Sequence, residues 1–434
     1  MSKPKVNIFW FRRDLRLEDN TGLNVALKSD RPVLPIFIFD SNILDDLDDK
    51  HDARITFIHD QLTAINKQLH SKKSAVKVYR GDPKKIWTEL TETFDIGEVF
   101  TNRDYEPYAR SRDKAIYEFL NAKNIPFNTY KDHVIFEKKE VVKEDGSPYV
   151  VFTPYSKVWK KRLQEHPFHI ASSIMGYDNF HQLTADVPTL EALGFKRSTI
   201  EIPPNDLDEA LISKYGETRD YPAINGTSRL GVHLRFGTVS IRKVAQMAMA
   251  KNETFLNELI WREFYQMILF HFPKVVDNNF RSKYDHVEWR NNEEEFEAWC
   301  QGKTGYPIVD AGMRELNTTG HMHNRVRMIV ASFLTKHLLI DWRWGEAYFA
   351  KKLLDFELAS NNGGWQWAAG TGTDAQPYFR IFNPESQTKK FDPELQYIKK
   401  WVPEFQELSY PKPIVDHKFA RERCLDTFKQ ALGA

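Results

Sequence analysis

The chain has 434 residues, of which 61 are Lys or Arg and 60 are Asp or Glu, and 41% are hydrophobic. Its length predicts two or three domains, and its hydrophobic content excludes an extended disordered protein. The net charge of +1 gives no global attraction to nucleic acid, so DNA or RNA binding requires a local basic surface. The two cysteines, Cys300 and Cys424, stand far apart in sequence, which excludes a disulfide framework and favours a reducing cytoplasm. A transmembrane run and a secretory signal pattern are both missing from the sequence, so we expect no membrane association.

The first third of the chain alternates short apolar runs with amphipathic stretches. Runs rich in Val, Ile and Phe cover 6–11, 33–40, 75–81, 98–104 and 127–136. Helical patterns lie between them near 51–69, 84–93 and 107–122. This alternation predicts an N-terminal α/β domain over 1–136, built on a doubly wound, Rossmann-like parallel sheet. The glycine-based phosphate loops GxGxxG and GxxxxGK[ST] are missing at the expected places, so the fold alone names no ligand.

The remainder of the chain changes character twice. Prolines punctuate 137–205, which predicts a connector wrapped over both domains. From 206 the periodicity is helical, and we expect an all-α C-terminal domain over 206–434. Helices are predicted near 206–217, 228–234, 240–249, 253–270, 292–300, 308–318, 321–338, 343–353 and 391–401.

Metal-dependent chemistry has little support in the sequence. The 14 His are scattered, and the close pair His321 and His323 is spaced so that the rings point to opposite sides of a helix. The signatures of acyl transfer, zinc hydrolysis and protein kinases are also missing. We therefore expect no metal and look for aromatic and polar chemistry.

Two glycine-rich segments are candidates for ligand contacts. The segment 225–240 places Thr, Ser and Arg at a predicted helix start, where free N–H groups, hydroxyls and a cation suit a pyrophosphate. A plain N-cap at Thr227 or Ser228 explains the same residues. The segment 359–384 combines paired Asn, paired Gly and two Trp. A flat heteroaromatic ligand would suit this composition, and so would a glycine-rich turn with core Trp.

Two predicted helices carry polar and aromatic side chains on one face. Glu258, Trp261 and Arg262 follow each other at i, i+3 and i+4 and therefore share a helix face. Asn324 and Met328 stand four residues apart on a second helix. Taken singly, such residues are more often surface ion pairs and core filler. Together they are typical of an apolar pocket with a few placed polar groups.

Several long motifs resemble one family of flavoproteins. They are FWFRRDLRLEDN (9–20), TSRL (227–230), WREFY (261–265), GKTGYPIVDAGMREL (302–316), MHNRVRM (322–328), DWRWGE (341–346) and NNGGWQWAAGTGTDAQPYFRIFNP (361–384). The family is the cryptochrome/photolyase family, and within it the chain looks most like the class I cyclobutane pyrimidine dimer photolyases. The resemblance runs over roughly 5–430.

The resemblance implies a carbon–carbon lyase that repairs cyclobutane pyrimidine dimers in UV-damaged DNA with light. It implies one FAD, bound non-covalently in the helical domain, active as FADH⁻ and donating an electron to the flipped-out dimer. Asn361 would sit beside flavin N5, where an Asp or Cys would resemble sensory cryptochromes instead. The implied FAD-binding residues are Tyr215, Thr227, Ser228, Arg229, Leu230, Gly231, Arg327, Asp355, Glu357 and Asn361, with Arg327 paired to Asp355.

The resemblance also implies a pocket for the DNA lesion. Its residues would be Arg219, Glu258, Trp261, Asn324, Arg325, Met328, Trp367 and Gln387. Glu258 and Asn361 would be the catalytic residues, Glu258 by donating a proton or hydrogen bond to the dimer radical anion. Met328 stands where (6-4) photolyases carry a histidine, which argues against the (6-4) lesion.

Two further features come with the resemblance. Trp365, Trp342 and Trp289 match the electron-transfer chain that re-reduces oxidised flavin. The N-terminal domain would hold a second, antenna chromophore. Tyr108 and Ala109 stand where folate-binding relatives have Asn and Glu, which argues against folate and leaves a deazaflavin, a second flavin or an empty site open.

Two alternatives compete with dimer repair. One is a cryptochrome-type blue-light photoreceptor, against which Asn361 and the lesion pocket residues speak. The other is a flavin-binding electron-transfer protein without DNA, which leaves Trp261 and Trp367 without a purpose. We expect a cytoplasmic monomer of bacterial type that associates with the nucleoid when it binds DNA.

Overall fold

The computed structural model describes residues 3–170 and 178–433, so the part of the predicted connector at 171–177 lies outside the described residues. The chain divides into two compact units, each discontinuous in sequence. The sheet unit comprises Met1–Glu140, Lys161–Asp206 and Leu230–Met247, and the helical unit comprises Val141–Lys160, Leu207–Arg229 and Ala248–Ala434. The predicted domain limits after 136 and 205 follow chain order and stay a prediction.

The sheet unit is built on five parallel strands in the order β3–β2–β1–β4–β5. This order confirms the predicted α/β fold, and the strand order reverses at β1, the place in such sheets where ligands bind beyond the carboxyl ends. Nearly every residue of β1 and β2 is buried, because both faces of a parallel sheet are covered. The strands are β1 (Lys5–Phe11), β2 (Val33–Asp40), β3 (Lys77–Gly81), β4 (Asp95–Asn102) and β5 (Phe127–Tyr130).

Helices follow four of the five strands, and polar side chains cap several of them. Asp52 accepts a hydrogen bond from the Arg54 N–H, and Asp82 does the same for Lys85. These caps satisfy amide groups that a helix start leaves without partners. The helices are α1 (Thr21–Ala26), α2 (Ser41–Leu44), α3 (Ala53–His70), α4 (Pro83–Thr93) and α5 (Pro107–Asn121).

A buried ion-pair network lies within the sheet unit. Arg242 contacts Asp19 at 2.8 Å through Nε and Asp132 at 2.8 Å through Nη2. Arg16 contacts the second carboxylate oxygen of Asp132 at 2.7 Å. Burial alone would raise the pKa of Asp132, but the guanidinium groups of Arg16 and Arg242 outweigh it and hold that pKa well below its usual range.

The rest of the chain is helical, as the periodicity predicts. The core of the helical unit gathers large side chains such as Trp299, Phe333, Trp342 and Trp365. The helices are α6 (Phe152–Glu165), α7 (Glu209–Thr218), α8 (Gly231–Phe236), α9 (Ile241–Lys251), α10 (Glu253–His271), α11 (Glu293–Cys300), α12 (Pro307–Thr319), α13 (Asn324–Ser332), α14 (Trp342–Lys352), α15 (Leu358–Ala369), α16 (Pro384–Phe391), α17 (Gln396–Trp401) and α18 (His417–Leu432). Among the described residues, every helix is either too short or too polar to cross a membrane.

Three local predictions are wrong. The helix predicted near 228–234 begins at Gly231, so neither Thr227 nor Ser228 is its N-cap. The predicted helix 321–338 begins only at Asn324, because the His323 Nδ1 accepts the Arg325 N–H. It ends at Ser332, where the backbone widens into a π-helical turn over Phe333–His337.

The third wrong prediction concerns the glycine-rich segment. Its first half is not a turn but helix α15, which carries Asn361 and both tryptophans. Helix α16 was not predicted. The helix predicted near 391–401 is present only in its second part, as α17. Helix α18 was also not predicted.

Candidate functional site

A cavity of about 460 Å³ lies within the helical unit. Its walls come from α10, α13, α14 and α15 and from the segment that joins the last two helices. Its volume is in the range of small-molecule sites. Eleven of the predicted site residues line it: Arg219, Glu258, Trp261, Asn324, Arg327, Met328, Asp355, Glu357, Asn361, Trp365 and Trp367.

Other predicted residues do not line this cavity. Arg325 lies beside α16, where its guanidinium stands 4.3 Å from the Phe391 ring centroid and pairs with Asp220 at 2.7 Å. Gln387 is on α16, and its side-chain oxygen is buried without a hydrogen-bond partner among the described residues. The remaining predicted residues outside the cavity are Tyr215, Thr227, Ser228, Arg229, Leu230, Gly231, Trp289 and Trp342.

Glu258 forms an ion pair with Arg219 at the cavity wall. Both side chains are about two-thirds buried, with 34% and 32% of their surface exposed. Burial raises the pKa of Glu258, and the nearby Arg219 opposes that shift without cancelling it. A carboxyl in this state takes up a proton more readily than an exposed glutamate, so it is suited to donate a hydrogen bond to developing negative charge.

Asn361 is oriented by a glutamate that the sequence did not single out. Its NH₂ group donates to the Glu346 carboxylate at 2.8 Å and to the Glu346 backbone oxygen at 3.1 Å. Burial raises the pKa of Glu346, and the hydrogen bond from Asn361 acts in the opposite direction. Because its donors are used in this way, Asn361 offers its carbonyl oxygen as an acceptor in the cavity.

Two ion pairs fix the polar wall of the cavity. The predicted pair of Arg327 and Asp355 is present, with nitrogen–oxygen distances of 3.0 and 3.1 Å. Glu357 accepts from Arg262 at 3.1 Å and from Gln266 at 2.8 Å. These carboxylates are therefore held in place before any ligand binds, which lowers the cost of binding one.

The tandem glycines of α15 have different roles. A Cβ on Gly363 would lie 2.3 Å from the Tyr265 ring, so this glycine lets α15 pack closely against α10. A Cβ on Gly364 would meet no atom within 4 Å, and Gly364 lines the cavity. The wall is therefore bare at Gly364, which leaves room for a planar group to lie close to the backbone.

A buried histidine offers a donor without a protein partner. Since the His323 Nδ1 accepts the Arg325 N–H, its proton stands on Nε2, which is buried and has no partner among the described residues. Burial, helped by the positive charge of Arg327, lowers the pKa of His323 to about 4. A neutral donor near arginines suits the polar atoms of an anionic ligand.

The three tryptophans of the predicted electron-transfer chain differ in exposure. Trp365 and Trp342 are buried, whereas Trp289 is half-buried. The Trp342 Nε1 donates to Asn279 at 2.9 Å. Trp289 packs edge-on against Phe428 of α18 with ring centroids 6.0 Å apart. Trp289 is thus the most exposed of the three, and their electron-transfer role stays a prediction.

Sequence reasoning missed part of the cavity wall. Some of these residues stand inside quoted motifs, but nothing in their spacing marks them as ligand contacts. The missed lining residues are Tyr265, Ala331, Phe349, Leu353, Phe356 and Ser360. Apolar residues of this kind look like core in sequence, and only the tertiary structure shows that they face a cavity.

Comparisons with known proteins identify the family. A family model described as DNA photolyase matches residues 7–171, and one described as the FAD binding domain of DNA photolyase matches residues 255–409. The chain is 37% identical to a deoxyribodipyrimidine photo-lyase of Halobacterium salinarum, covering 99% of this chain and 100% of that protein.

Solved structures give the same picture. A bacterial class III photolyase from Agrobacterium tumefaciens superposes with a TM-score of 0.85 at 32% identity, covering 100% of this chain and 99% of that one. An archaeal photolyase from Sulfolobus tokodaii, solved with two FAD molecules, has a TM-score of 0.83 at 36% identity, covering 98% of this chain and 100% of that one.

Proposed function

Because the chain belongs to the cryptochrome/photolyase family, we propose that it is a deoxyribodipyrimidine photo-lyase that repairs cyclobutane pyrimidine dimers in DNA with blue light. The observation that carries the proposal is that one cavity brings together four of the residues expected to face a flavin and six of those expected to face a lesion. We place the chain with the class I enzymes on the motifs alone.

The cavity fits a flavin. The bare wall at Gly364 has room for a planar ring, and the Asn361 carbonyl oxygen would accept a hydrogen bond from the ring edge. Arg327, Asp355 and Glu357 would hold the polar side of the ring. Tyr215 and the run at 227–231 would hold the diphosphate and ribityl chain. These residues would bind FAD non-covalently, and in its reduced form FADH⁻ it would supply the light-excited electron for repair.

Other residues of the cavity would bind the DNA lesion. Trp261 and Trp367 would pack against the flipped-out dimer, and Met328 would fill the space beside it. Glu258 and Asn324 would meet its polar edges. As a protonated carboxyl, Glu258 would donate a hydrogen bond to a pyrimidine carbonyl oxygen, where negative charge develops during repair.

Arg219 at the cavity wall, and Arg325 and Gln387 outside it, would contact the DNA backbone, which positions the DNA without reading its sequence. Arg219 and Arg325 are paired with Glu258 and Asp220, which keeps both guanidinium groups in place until a phosphate replaces the carboxylate. Trp365, Trp342 and Trp289 would pass an electron inward from the protein surface when the flavin is oxidised.

A second chromophore is proposed for the sheet unit. The Tyr108 hydroxyl donates to the Asp40 carboxylate at 2.6 Å, close to where β2 ends. Ligands of open parallel sheets bind beyond the carboxyl ends of the strands, so this edge is the expected place. We infer that a chromophore bound at this edge is not folate, which leaves a deazaflavin, a second flavin or an empty site. We further infer a monomer that works in the cytoplasm, where both buried, unpaired cysteines stay reduced.

The test has two parts. First, denaturing the purified protein should release at least one intact FAD per chain. Second, the reduced protein should repair the dimer in an oligonucleotide under blue light but not in the dark. A colourless protein that cannot take up FAD, or equal results in light and dark, would contradict the proposal. No observation favours the photoreceptor alternative.

A further inference from the structure

Trp261 is covered on one face by a residue from a distant part of the chain. The rings of Phe152 and Trp261 stack with centroids 3.8 Å apart and planes inclined by 4°. Trp261 is on α10 and lines the cavity, whereas Phe152 is the first residue of α6. One indole face is therefore already occupied by protein.

Phe152 is itself held in place by the loop that follows α15. The Phe152 backbone N–H donates to the Asp374 carboxylate at 3.1 Å. One residue earlier in that loop, the Thr373 hydroxyl donates to the Val150 backbone oxygen at 2.7 Å. Because these two hydrogen bonds hold the backbone at Phe152, its ring has little freedom to move with Trp261. The Phe152 ring can therefore impose an orientation on the Trp261 indole.

The remaining contacts of Trp261 restrict it further. Phe264, which is fully buried, meets the indole edge-on at 5.6 Å and Phe152 at 6.0 Å. Tyr265 lies against Trp261 at 5.5 Å, and the missing side chain of Gly363 lets α15 press on the Tyr265 ring. The indole is thus enclosed by three aromatic rings.

We propose that Phe152 is a positioning residue for lesion recognition, which fixes the plane of Trp261 so that a single indole face is presented to a pyrimidine of the dimer. This inference rests on the proposed function. Stacking requires parallel planes, and an indole ordered in advance does not have to lose its rotational freedom when the lesion binds. Phe152 therefore acts through Trp261.

The experiment uses the holoprotein and two substitutions. Phe152→Leu keeps apolar volume but removes the ring, and Phe152→Tyr keeps the ring. Equilibrium binding is measured with an oligonucleotide that carries one thymine dimer and with the same undamaged oligonucleotide. Phe419→Leu is the matched control, because Phe419 on α18 is 57% exposed.

The expected result is a selective loss. Phe152→Leu should weaken binding of the dimer about two- to tenfold, the scale for one side chain that must be ordered on binding. Binding of undamaged DNA, FAD content and light-driven flavin reduction should not change. Phe152→Tyr and Phe419→Leu should behave like the wild type. In a Trp261→Ala background, Phe152→Leu should cause no further loss.

Each contrary result has one meaning. A wild-type protein that does not prefer the dimer contradicts the proposed function itself. Suppose that the wild type prefers the dimer and that Trp261→Ala abolishes this preference. If Phe152→Leu then still prefers the dimer over undamaged DNA as strongly as the wild type does, the proposed role of Phe152 is wrong and the proposed function stands. The role of Phe152 is also wrong if Phe152→Leu weakens dimer binding further in the Trp261→Ala background. Should Phe152→Leu not fold, Phe152→Met gives the same test with a longer, flexible side chain.

Discussion

Asp132 in the sheet unit differs from Glu258 and Glu346 in the helical unit in the direction of its pKa shift. In the sheet unit, Asp132 accepts from two guanidinium groups and its pKa is held low. In the helical unit, Glu258 has one guanidinium partner and Glu346 has an amide, and burial raises the pKa of both. The number of cationic partners decides which effect prevails.

The difference in pKa distinguishes a carboxylate that stabilises the fold from two carboxyl groups at the candidate site. A carboxylate whose pKa is held low by arginines stays ionised near neutral pH and has no proton to offer. Its ion pairs stabilise the fold around it. A carboxyl with a raised pKa next to a cavity costs stability and is typical of a functional site. We therefore interpret the network of Arg16, Arg242 and Asp132 as structural, and we assign Glu258, which lines the cavity, and Glu346, which holds Asn361, to the candidate site.

The largest expected effect comes from breaking the structural network. Arg242→Met leaves Asp19 and Asp132 short of a cation in a buried place, and we expect the free energy of unfolding to fall by about 3–5 kcal/mol. Arg197→Met is the matched control, since Arg197 and Asp60 are 57% and 45% exposed, and it should cost about 1 kcal/mol or less. Urea denaturation measures both, and equal losses would show that the buried network is not structural.

A change in the helical unit should alter function without altering stability. Trp289→Phe should abolish or strongly slow light-driven reduction of the resting flavin, because the half-buried end of the tryptophan chain is lost. Protein reduced beforehand with dithionite should still repair dimers near the wild-type rate. Trp401→Phe, another half-buried tryptophan, serves as the control. Loss of repair in the pre-reduced Trp289→Phe protein would mean that this tryptophan has another role.

The smallest effect concerns Glu346 and has a defined pH dependence. A raised pKa in the folded state means that wild-type stability declines as pH rises and the buried carboxyl ionises. Glu346→Gln keeps an acceptor for Asn361 and cannot ionise. Its unfolding free energy should match the wild type below about pH 4, where both side chains are neutral, and exceed it at neutral pH. The opposite trend would show that the carboxylate is stabilised by charge.

The sheet was predictable because its signal is local. Continuous Val, Ile and Phe runs are typical of buried parallel strands, and they predict all five strands, four of them to within three residues at each end. The segment 127–136 shows the limit, since its strand ends at Tyr130 although Val134, Ile135 and Phe136 are buried. Apolar residues in a buried loop look like a strand in sequence.

The errors among the helices have two causes. Two glycines and two asparagines give α15 a low helix propensity, and packing of Gly363 on Tyr265 overrides it. Helix α18 carried a readable signal, since Ala420, Cys424 and Phe428 are buried at a spacing of four residues. The prediction missed α18 although this periodicity is visible in the sequence.

The site was predictable only where long motifs carry it. Motif matches named most of the polar lining residues, including Glu258 and Asn361. They did not reveal Phe152 against Trp261 or Glu346 against Asn361, because those contacts depend on how distant helices pack. Such positioning contacts leave no spacing that a sequence pattern can register.

The flavin content of Gly364→Leu tests the central claim most directly. A leucine at this place in α15 would extend from the bare wall into the cavity, and it favours helix more than glycine does. We predict a protein that folds with wild-type stability but lacks bound flavin, whereas the control Ala347→Leu, on the exposed face of α14, retains it. A folded Gly364→Leu protein that still binds one FAD per chain would show that the flavin lies elsewhere.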